Sequence, residues 1–180
     1  MLGIFKKCLP DIFVRSVAEL DEDFYRANSI TAVIFDIDNT LVRHTEPVPT
    51  PEVREYFESL DRWGIRAAVV SNNKKERVQK FCEPLGVPYA ARAYKPRRKP
   101  LRAIAARLGA VPKNTCLVGD QLFTDIFGAN RMGFFSVAVT ALGENETGFV
   151  SFKRFFEKLL INSAHRETER AKRTEIKNRR

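Results

Sequence analysis

Four short apolar runs constrain the fold of this chain more than any other feature of its sequence. They are Thr31–Phe35, Arg66–Val70, Thr115–Gly119 and Phe134–Thr140. Their length, their β-branched residues and their lack of strict alternation predict strands that are buried on both faces, as in a parallel sheet. A fifth run, Val87–Ala91, is interrupted by Pro88, which lacks a main-chain donor, so it is predicted to form an edge strand.

Helical patterns separate these strands, and each of the intervening helices is followed by a glycine. Thr50 before Pro51 is typical of a helix start, and that helix is predicted to extend to about Trp63. The other intervening helices are predicted at Lys74–Leu85, Pro100–Leu108 and Leu122–Met132. Two further helices are predicted nearer the chain ends, at Val17–Ala27 and Phe149–Ala164. Alternating strands and helices predict a three-layer, Rossmann-like α/β fold in which helices flank a parallel sheet.

Length and charge limit the class of protein. The chain has 180 residues, 44% of them hydrophobic, which is typical of one globular domain. We predict a single domain over residues 1–164 and a basic tail over residues 165–180. The formal net charge of +9 favours a polyanionic partner. The three cysteines form no CxxC pair, which fits a reducing cytoplasm, and no apolar run approaches the roughly 18 residues needed to span a membrane.

Polar and charged residues follow the predicted strands. The segments concerned are Asp36-Ile37-Asp38-Asn39-Thr40, Ser71-Asn72-Asn73, Lys95-Pro96 and the stretch GDQLFTD at residues 119–125. In extended backbone the side chains of Asp36 and Asp38 point to the same side of the strand. Such a pair is typical either of a turn or of a ligand site at the carboxyl edge of a parallel sheet. Because acid, hydroxyl, cation and acid converge on one edge, we favour a functional site.

The order DxDNT, SNN, KP and GDQxxTD resembles the four motifs of the haloacid dehalogenase (HAD) superfamily of phosphatases. The longer phrases CLPD, SNN, EPLG, GDQLFTD and GANRMG are most similar to the capless class IIIA, YqeG-like members, which are related to the mitochondrial phosphatidylglycerophosphatase. The likeness covers most of residues 8–160. It implies a HAD-type fold without a cap domain and a phosphatase activity.

The resemblance also implies roles for individual residues in a phosphoryl transfer. Asp36 would be the nucleophile that forms an aspartyl-phosphate, and Asp38 would protonate the leaving oxygen and then deprotonate water. Ser71 and Lys95 would hold the phosphoryl oxygens, and Asn72 would assist them. These five residues are therefore expected to lie around one phosphate.

A magnesium ion is the cofactor that the resemblance implies. Asp36, the main-chain carbonyl of Asp38, and Asp120 would bind it, and Asp125 would orient a metal-bound water or Lys95. A hard, oxygen-preferring cation suits a site that contains carboxylates and lacks histidine or cysteine ligands. We therefore expect Mg²⁺ dependence.

The intervals between the motifs leave little room for inserted structure. They run from 36 to 71, from 71 to 95 and from 95 to 120, or 35, 24 and 25 residues. Each is close to the roughly 30 residues of one strand-helix-strand unit, so the site is expected to be open. Lys-Pro also occurs at Lys99-Pro100; we favour Lys95 as the phosphate-binding lysine because it directly follows the short predicted strand.

Basic residues bracket the predicted phosphate site, and they guide the choice of substrate. They are Arg92, Lys95, Arg97, Arg98, Lys99 and Arg102. Such a rim suits an anionic substrate or anionic headgroups. Together with the expected open site and the likeness to the phosphatidylglycerophosphatase, it favours phosphatidylglycerophosphate or another phosphate monoester on an anionic lipid as the substrate, and a cytoplasmic protein in peripheral contact with the inner face of the membrane. Two alternatives stay open. One is a phosphatase of soluble sugar phosphates or nucleic-acid ends; the other is a basic RNA- or ribosome-associated protein that keeps a relic site, although nucleic acid is not the expected partner.

Overall fold

A computed structural model describes residues 6–142 of the chain. Within them, six strands form one parallel sheet in the order β1-β6-β5-β2-β3-β4. The strands are β1 Ile12–Val14, β2 Ala32–Phe35, β3 Arg66–Val70, β4 Tyr89–Ala90, β5 Thr115–Gly119 and β6 Phe135–Val139. The helix predicted at Phe149–Ala164 and the tail predicted at 165–180 lie outside the described residues.

The four apolar runs are confirmed as strands, and the fifth run is confirmed as a short edge strand. The fifth run corresponds to β4, which is limited to Tyr89–Ala90 and pairs with Val69 and Val70 of β3. Pro88 stands just before it and contributes only its carbonyl, which accepts the N–H of Val69 at 3.0 Å. The missing donor of proline thus limits the pairing at this edge.

The opposite edge of the sheet, β1, was not predicted from the sequence. Its three residues pair with Val137–Val139 of β6. Side chains secure it: the Asp11 carboxylate accepts the main-chain N–H and the hydroxyl of Ser136, both at 2.8 Å. The side-chain amide of Asn130 donates to the carbonyl of Leu9 at 2.7 Å. The CLPD and GANRMG phrases therefore meet in one polar network that holds the amino-terminal segment on the sheet.

The helices are α1 Glu22–Ala27, α2 Pro51–Arg62, α3 Lys75–Cys82, α4 Arg98–Arg107 and α5 Phe127–Met132. Three predicted helices are divided. The region predicted at Lys74–Leu85 is α3 followed by a 3-10 turn at Glu83–Leu85. The region predicted as a helix at Val17–Ala27 is a 3-10 turn at Val17–Glu19 followed by α1, since Asp21 caps α1 by accepting the N–H of Phe24 at 2.8 Å. The region predicted at Leu122–Met132 begins with a π-helical turn, Leu122–Ile126, before α5.

Two apolar cores lie on the two faces of the sheet, which confirms the three-layer α/β fold. Side chains from β2 alternate between them: Val33 and Phe35 pack with residues of α1, α2 and α3, whereas Ala32 and Ile34 pack with residues of α4 and α5. Because both faces are covered, the central strands are buried throughout.

The described residues contain no inserted domain that covers the carboxyl edge of the sheet. Residues 36–50 connect β2 to α2 without another helix or strand, and each later strand leads to the next through a helix or a turn. None of the helices found between residues 6 and 142 is long and apolar enough to cross a membrane. Within this part of the chain, the carboxyl edge of the sheet is therefore not covered by an inserted domain.

Candidate active site

The predicted site residues all follow strands at the carboxyl edge of the sheet. Asp36 and Asp38 follow β2, Ser71 and Asn72 follow β3, Lys95 follows β4, and Asp120 and Asp125 follow β5. The structure brings four of them into one cluster: Asp36, Lys95, Asp120 and Asp125. Asp38 lies beside this cluster and contacts the segment that leads into α3. Parallel strands with a shared carboxyl edge thus place residues that are distant in sequence side by side.

Lys95 is the cation of the cluster. Its Nζ lies 2.7 Å from Oδ1 of Asp36 and 2.6 Å from Oδ1 of Asp125, and its side chain is 2% exposed. Its main-chain N–H donates to the side-chain carbonyl oxygen of Asn72 at 2.6 Å, which ties the Lys95 loop to the end of β3. Lys99 instead lies exposed in the first turn of α4. The geometry therefore supports Lys95 as the lysine that faces the predicted nucleophile.

Burial dominates the electrostatics of the cluster. Loss of hydration raises the pKa of Asp36 to about 7, although Lys95 opposes that rise, and raises the pKa of Asp120 to about 6. Burial also raises the pKa of Asp125. For Lys95, burial alone would lower the pKa, but the adjacent carboxylates of Asp125 and Asp36 outweigh it and raise the pKa. The cluster is consequently short of positive charge when its three carboxyl groups are ionised.

The carboxylates fit a divalent cation. One oxygen each from Asp36, Asp120 and Asp125 lies within 4.8 Å of the others. Three carboxylates and one ammonium group carry a formal charge of −2, which a divalent ion would balance, and oxygen donors without nitrogen or sulfur favour a hard ion. Thr40, which is buried, donates its hydroxyl to Oδ1 of Asp120 at 3.4 Å and orients that carboxylate. The site therefore suits a metal such as Mg²⁺.

Asp38 has partners that the sequence analysis did not identify as site residues. The side-chain amide of Asn73 donates to its Oδ2, and Nη2 of Arg77 lies 2.7 Å from its Oδ1. Asn73 also donates its main-chain N–H to the hydroxyl of buried Ser71 at 3.2 Å. Asn73 and Thr40 stand inside the SNN and DxDNT motifs, so the sequence contained enough information to identify both as site residues. Arg77 had no such signal, because it stands in an ordinary amphipathic helix 39 residues from Asp38.

Gly119, the last residue of β5, leaves the space that Asp125 occupies. A Cβ atom built on Gly119 would stand 2.4 Å from Cγ of Asp125 and 2.5 Å from its Cβ. Asp125 is fully buried, and its Oδ2 accepts the N–H of Gln121 at 3.2 Å. Any side chain at position 119 must therefore displace Asp125 and disturb its contact with Lys95.

Gly119→Ala is expected to destabilise the fold by about 1–3 kcal/mol, the usual cost of overpacking, and to lower the predicted catalytic turnover on the order of tenfold or more. Thermal unfolding and a phosphate-release assay measure the two effects. Gly128→Ala is the matched control, because its new methyl group meets the end of the flexible Leu101 side chain at 3.2 Å and Pro96 only at ordinary contact distances of 3.6 and 3.7 Å, and alanine favours the helix. Unchanged stability and activity in Gly119→Ala would show that Asp125 has room to move.

Exposed aromatic and basic side chains surround the site. Tyr94, directly before Lys95, is 59% exposed, and Phe123, between Asp120 and Asp125, is 68% exposed. The guanidinium carbon of Arg97 lies 5.2 Å from the centre of the Tyr94 ring. Exposed basic residues continue along the same segment: Arg92, Arg98, Lys99 and Arg102. We call Tyr94, Arg97 and Phe123 the aromatic rim.

The sequence matches known families and a bacterial relative. Residues 44–133 match the family of haloacid dehalogenase-like hydrolases, and residues 2–81 match a family described as mitochondrial PGP phosphatase. The chain is 32% identical over 159 residues to the Bacillus subtilis (strain 168) protein named "Probable phosphatase YqeG". That alignment covers 88% of this chain and 92% of the relative.

A plant protein and a solved structure show weaker likeness. The chain is 24% identical over 151 residues to phosphatidylglycerophosphate phosphatase 1, chloroplastic/mitochondrial, of Arabidopsis thaliana, covering 79% of this chain but only 43% of that protein. The crystal structure of a HAD phosphatase from Thermococcus onnurineus superposes with a TM-score of 0.54 at 18% identity, covering 64% of this chain and 89% of that one. At this identity the superposition supports the α/β fold.

Proposed function

Because this chain belongs to the haloacid dehalogenase-like hydrolases, in the group of YqeG and the PGP phosphatases, and is a phosphatase, we propose that it hydrolyses phosphate monoesters through an aspartyl-phosphate on Asp36. The observation that carries the proposal is the buried contact of 2.7 Å between Lys95 Nζ and Asp36 Oδ1 at the open edge of the sheet. A cation at this distance can balance the charge of a phosphoryl group that approaches Asp36.

In the proposed reaction an oxygen of Asp36 attacks the phosphorus, and the bond from phosphorus to the ester oxygen breaks. The leaving oxygen takes a proton from the carboxyl group of Asp38, a contribution on the order of 100- to 10,000-fold. A water molecule then gives a proton to Asp38 and attacks the phosphorus. The bond between phosphorus and Asp36 breaks, inorganic phosphate leaves, and both carboxyl groups return to their starting states.

The remaining site residues would hold the phosphate and the metal. Ser71 and Lys95 are proposed to contact phosphoryl oxygens, and Asn72 to act through its hydrogen bond to the main chain of Lys95. Asp36, Asp120 and the main-chain carbonyl of Asp38 are proposed to hold Mg²⁺, which would neutralise charge on the transferring phosphoryl group. Asp125 would act through Lys95, which it contacts at 2.6 Å.

A phosphate monoester on an anionic lipid, with phosphatidylglycerophosphate as the first candidate, is the proposed substrate class. The match to the PGP phosphatase family and the likeness to the plant enzyme support the choice. The open carboxyl edge and the aromatic rim add physical support. Exposed aromatic rings beside arginines suit the interface of an anionic bilayer, where the rings enter the headgroup region and the cations pair with phosphates. We accordingly propose peripheral contact with the membrane.

The substrate proposal is tested by measuring Mg²⁺-dependent phosphate release from phosphatidylglycerophosphate in anionic vesicles, from sugar phosphates and from DNA ends. We expect the lipid to be preferred. The double variant Tyr94→Ser/Phe123→Ser should lose about tenfold on vesicles, equivalent to roughly 1.4 kcal/mol of membrane binding, and much less on a soluble ester. Val111→Ser is the matched control. Val111 is 51% exposed, but it precedes β5 and so lies near the amino ends of the strands, away from the carboxyl edge that carries the site. Preference for a soluble ester, with equal losses on both substrates, would contradict the lipid assignment.

A further inference from the structure

Both carboxylate oxygens of Asp38 are held from the side of α3. Arg77 Nη2 lies 2.7 Å from Oδ1, and the amide of Asn73 donates to Oδ2. The side chains of Arg77 and Asp38 are 19% and 18% exposed, so the ion pair lies partly out of water. Partial burial makes such a pair stronger than one between fully solvated side chains. The two donors approach different oxygens and therefore fix the plane of the carboxyl group.

We infer that Arg77 is a positioning residue, which holds the Asp38 carboxyl group in the orientation needed for proton transfer to the leaving oxygen. The inference rests on the proposed function, because it assigns Arg77 a role only through Asp38. Each carboxylate oxygen has two lone-pair directions, so the contacts with Arg77 and Asn73 leave other directions available for the transferred proton. The planar guanidinium is suited to this task, since it keeps its charge and presents its donors in a fixed geometry.

The position of Arg77 in α3 explains why this cation differs from its neighbours. Val78 and Phe81 are buried and fix the inner face of the helix against the sheet. Arg77 lies near the amino-terminal end of α3, beside the carboxyl edge of β3, and reaches Asp38 from there. Lys80 lies on the same helix but is exposed. The helix therefore directs Arg77 to the site, whereas its two lysines, Lys75 and Lys80, are exposed to solvent.

The two hydrogen-bond donors matter more for the orientation of Asp38 in a site that no inserted domain covers. Nothing within residues 6–142 forms an inserted domain over Asp38, and its side chain is 18% exposed to solvent. A short carboxyl side chain without partners would sample several orientations there. Displacement of a reacting group by about 1 Å can cost on the order of 100-fold in rate. Two fixed donors from α3 and the preceding loop limit that motion.

The test compares esters that differ in how strongly their leaving group needs a proton. Alkyl phosphates release a basic alkoxide, whereas p-nitrophenyl phosphate releases a stable phenolate. We expect Arg77→Met to lower kcat/KM for an alkyl phosphate by about 10- to 100-fold, and to lower it for p-nitrophenyl phosphate by about tenfold less. The ratio kcat/KM is the appropriate quantity because it reports the steps up to loss of the alcohol.

Two further single variants separate positioning from general effects of charge and folding. Lys80→Met removes one positive charge from the same helix and should leave the alkyl-to-aryl ratio unchanged. Arg77→Lys keeps a cation and should recover part of the alkyl activity. Thermal unfolding of each variant checks the fold. If Arg77→Met is unfolded, Arg77→Lys carries the test: a loss that is larger on the alkyl ester than on the aryl ester supports the inference, and no loss, or a loss equal on both esters, contradicts it.

A double-mutant cycle supplies the decisive comparison. If Arg77 acts through Asp38, adding Arg77→Met to Asp38→Ala should cause little further loss on the alkyl ester. Additive losses, or an equal loss on both esters, would overturn the positioning role and indicate that Arg77 contacts the substrate directly. Failure of the wild-type protein to hydrolyse either ester would instead contradict the proposed function, so the two failures are distinguishable.

Discussion

Asp36→Asn is expected to lower phosphatase turnover on the order of 10⁴-fold or more, because an amide does not form the proposed acyl phosphate. The fold should survive the change. Asparagine has the same shape, and the substitution removes a buried carboxyl group whose pKa is already raised by loss of hydration. Lys95 keeps its contact with Asp125, so its ammonium group is not left without a counter-charge. The substitution should therefore greatly reduce turnover and leave the protein folded.

Rapid quenching with a phosphorus-labelled substrate tests this result directly. The wild-type protein should retain label in an acid-stable, base-labile bond, as acyl phosphates do, and Asp36→Asn should retain none. Asp61→Asn, an exposed residue of α2, is the control for removal of one carboxylate. Labelling of Asp36→Asn, or turnover near the wild-type rate, would exclude Asp36 as the nucleophile. A large loss of thermal stability would mean that Asp36 is needed for the fold.

The sequence predicted those parts of the fold whose signals are local. The central strands are continuous apolar runs because both faces of the sheet are covered, and their polar ends mark the edge where the site lies. Strand β1 was not predicted, because three residues are too few to show a pattern of apolar and polar positions. It depends on pairing with β6 and on the Asp11–Ser136 contact, which joins residues 125 positions apart. Such a strand is specified by tertiary contacts.

The same distinction applies to the site. Asp36, Lys95, Asp120 and Asp125 were predicted to lie together, and the structure does bring them together, because each lies in a segment that follows a strand of one parallel sheet. Their chemical roles stay predictions. The motifs could not reveal that Asp38 pairs with Arg77, since a helical arginine has many possible partners and only the packing of α3 selects one. They also did not reveal the π-helical turn, in which the N–H of Ile126 donates to the carbonyl of Gln121, five residues earlier, at 3.3 Å.

Removal of divalent metal is expected to reduce phosphate release on the order of 1,000-fold, and addition of Mg²⁺ should restore it. The affinity for Mg²⁺ should also depend on pH in a definite direction. With pKa values raised to about 7 and about 6, Asp36 and Asp120 hold protons in mildly acidic solution, and a bound cation must displace them. Affinity should therefore rise as the pH increases through this range and level off above it. Titration calorimetry at about pH 5.5 and about pH 7.5 measures the difference.

Stability gives a readout that is independent of activity. A carboxyl group whose pKa is raised in the folded state binds its proton more tightly there, so its contribution to stability falls as the pH rises from its unfolded value toward its folded value. The metal-free protein should lose this contribution between about pH 4 and pH 7, and Mg²⁺ should stabilise it most near neutral pH. Asp120→Asn should show weaker stabilisation by Mg²⁺, whereas the exposed control Asp61→Asn should match wild type. Equal stabilisation by Mg²⁺ of wild type and Asp120→Asn would place the metal elsewhere, because an ion held by the Asp120 carboxylate must lose affinity when that carboxylate becomes an amide.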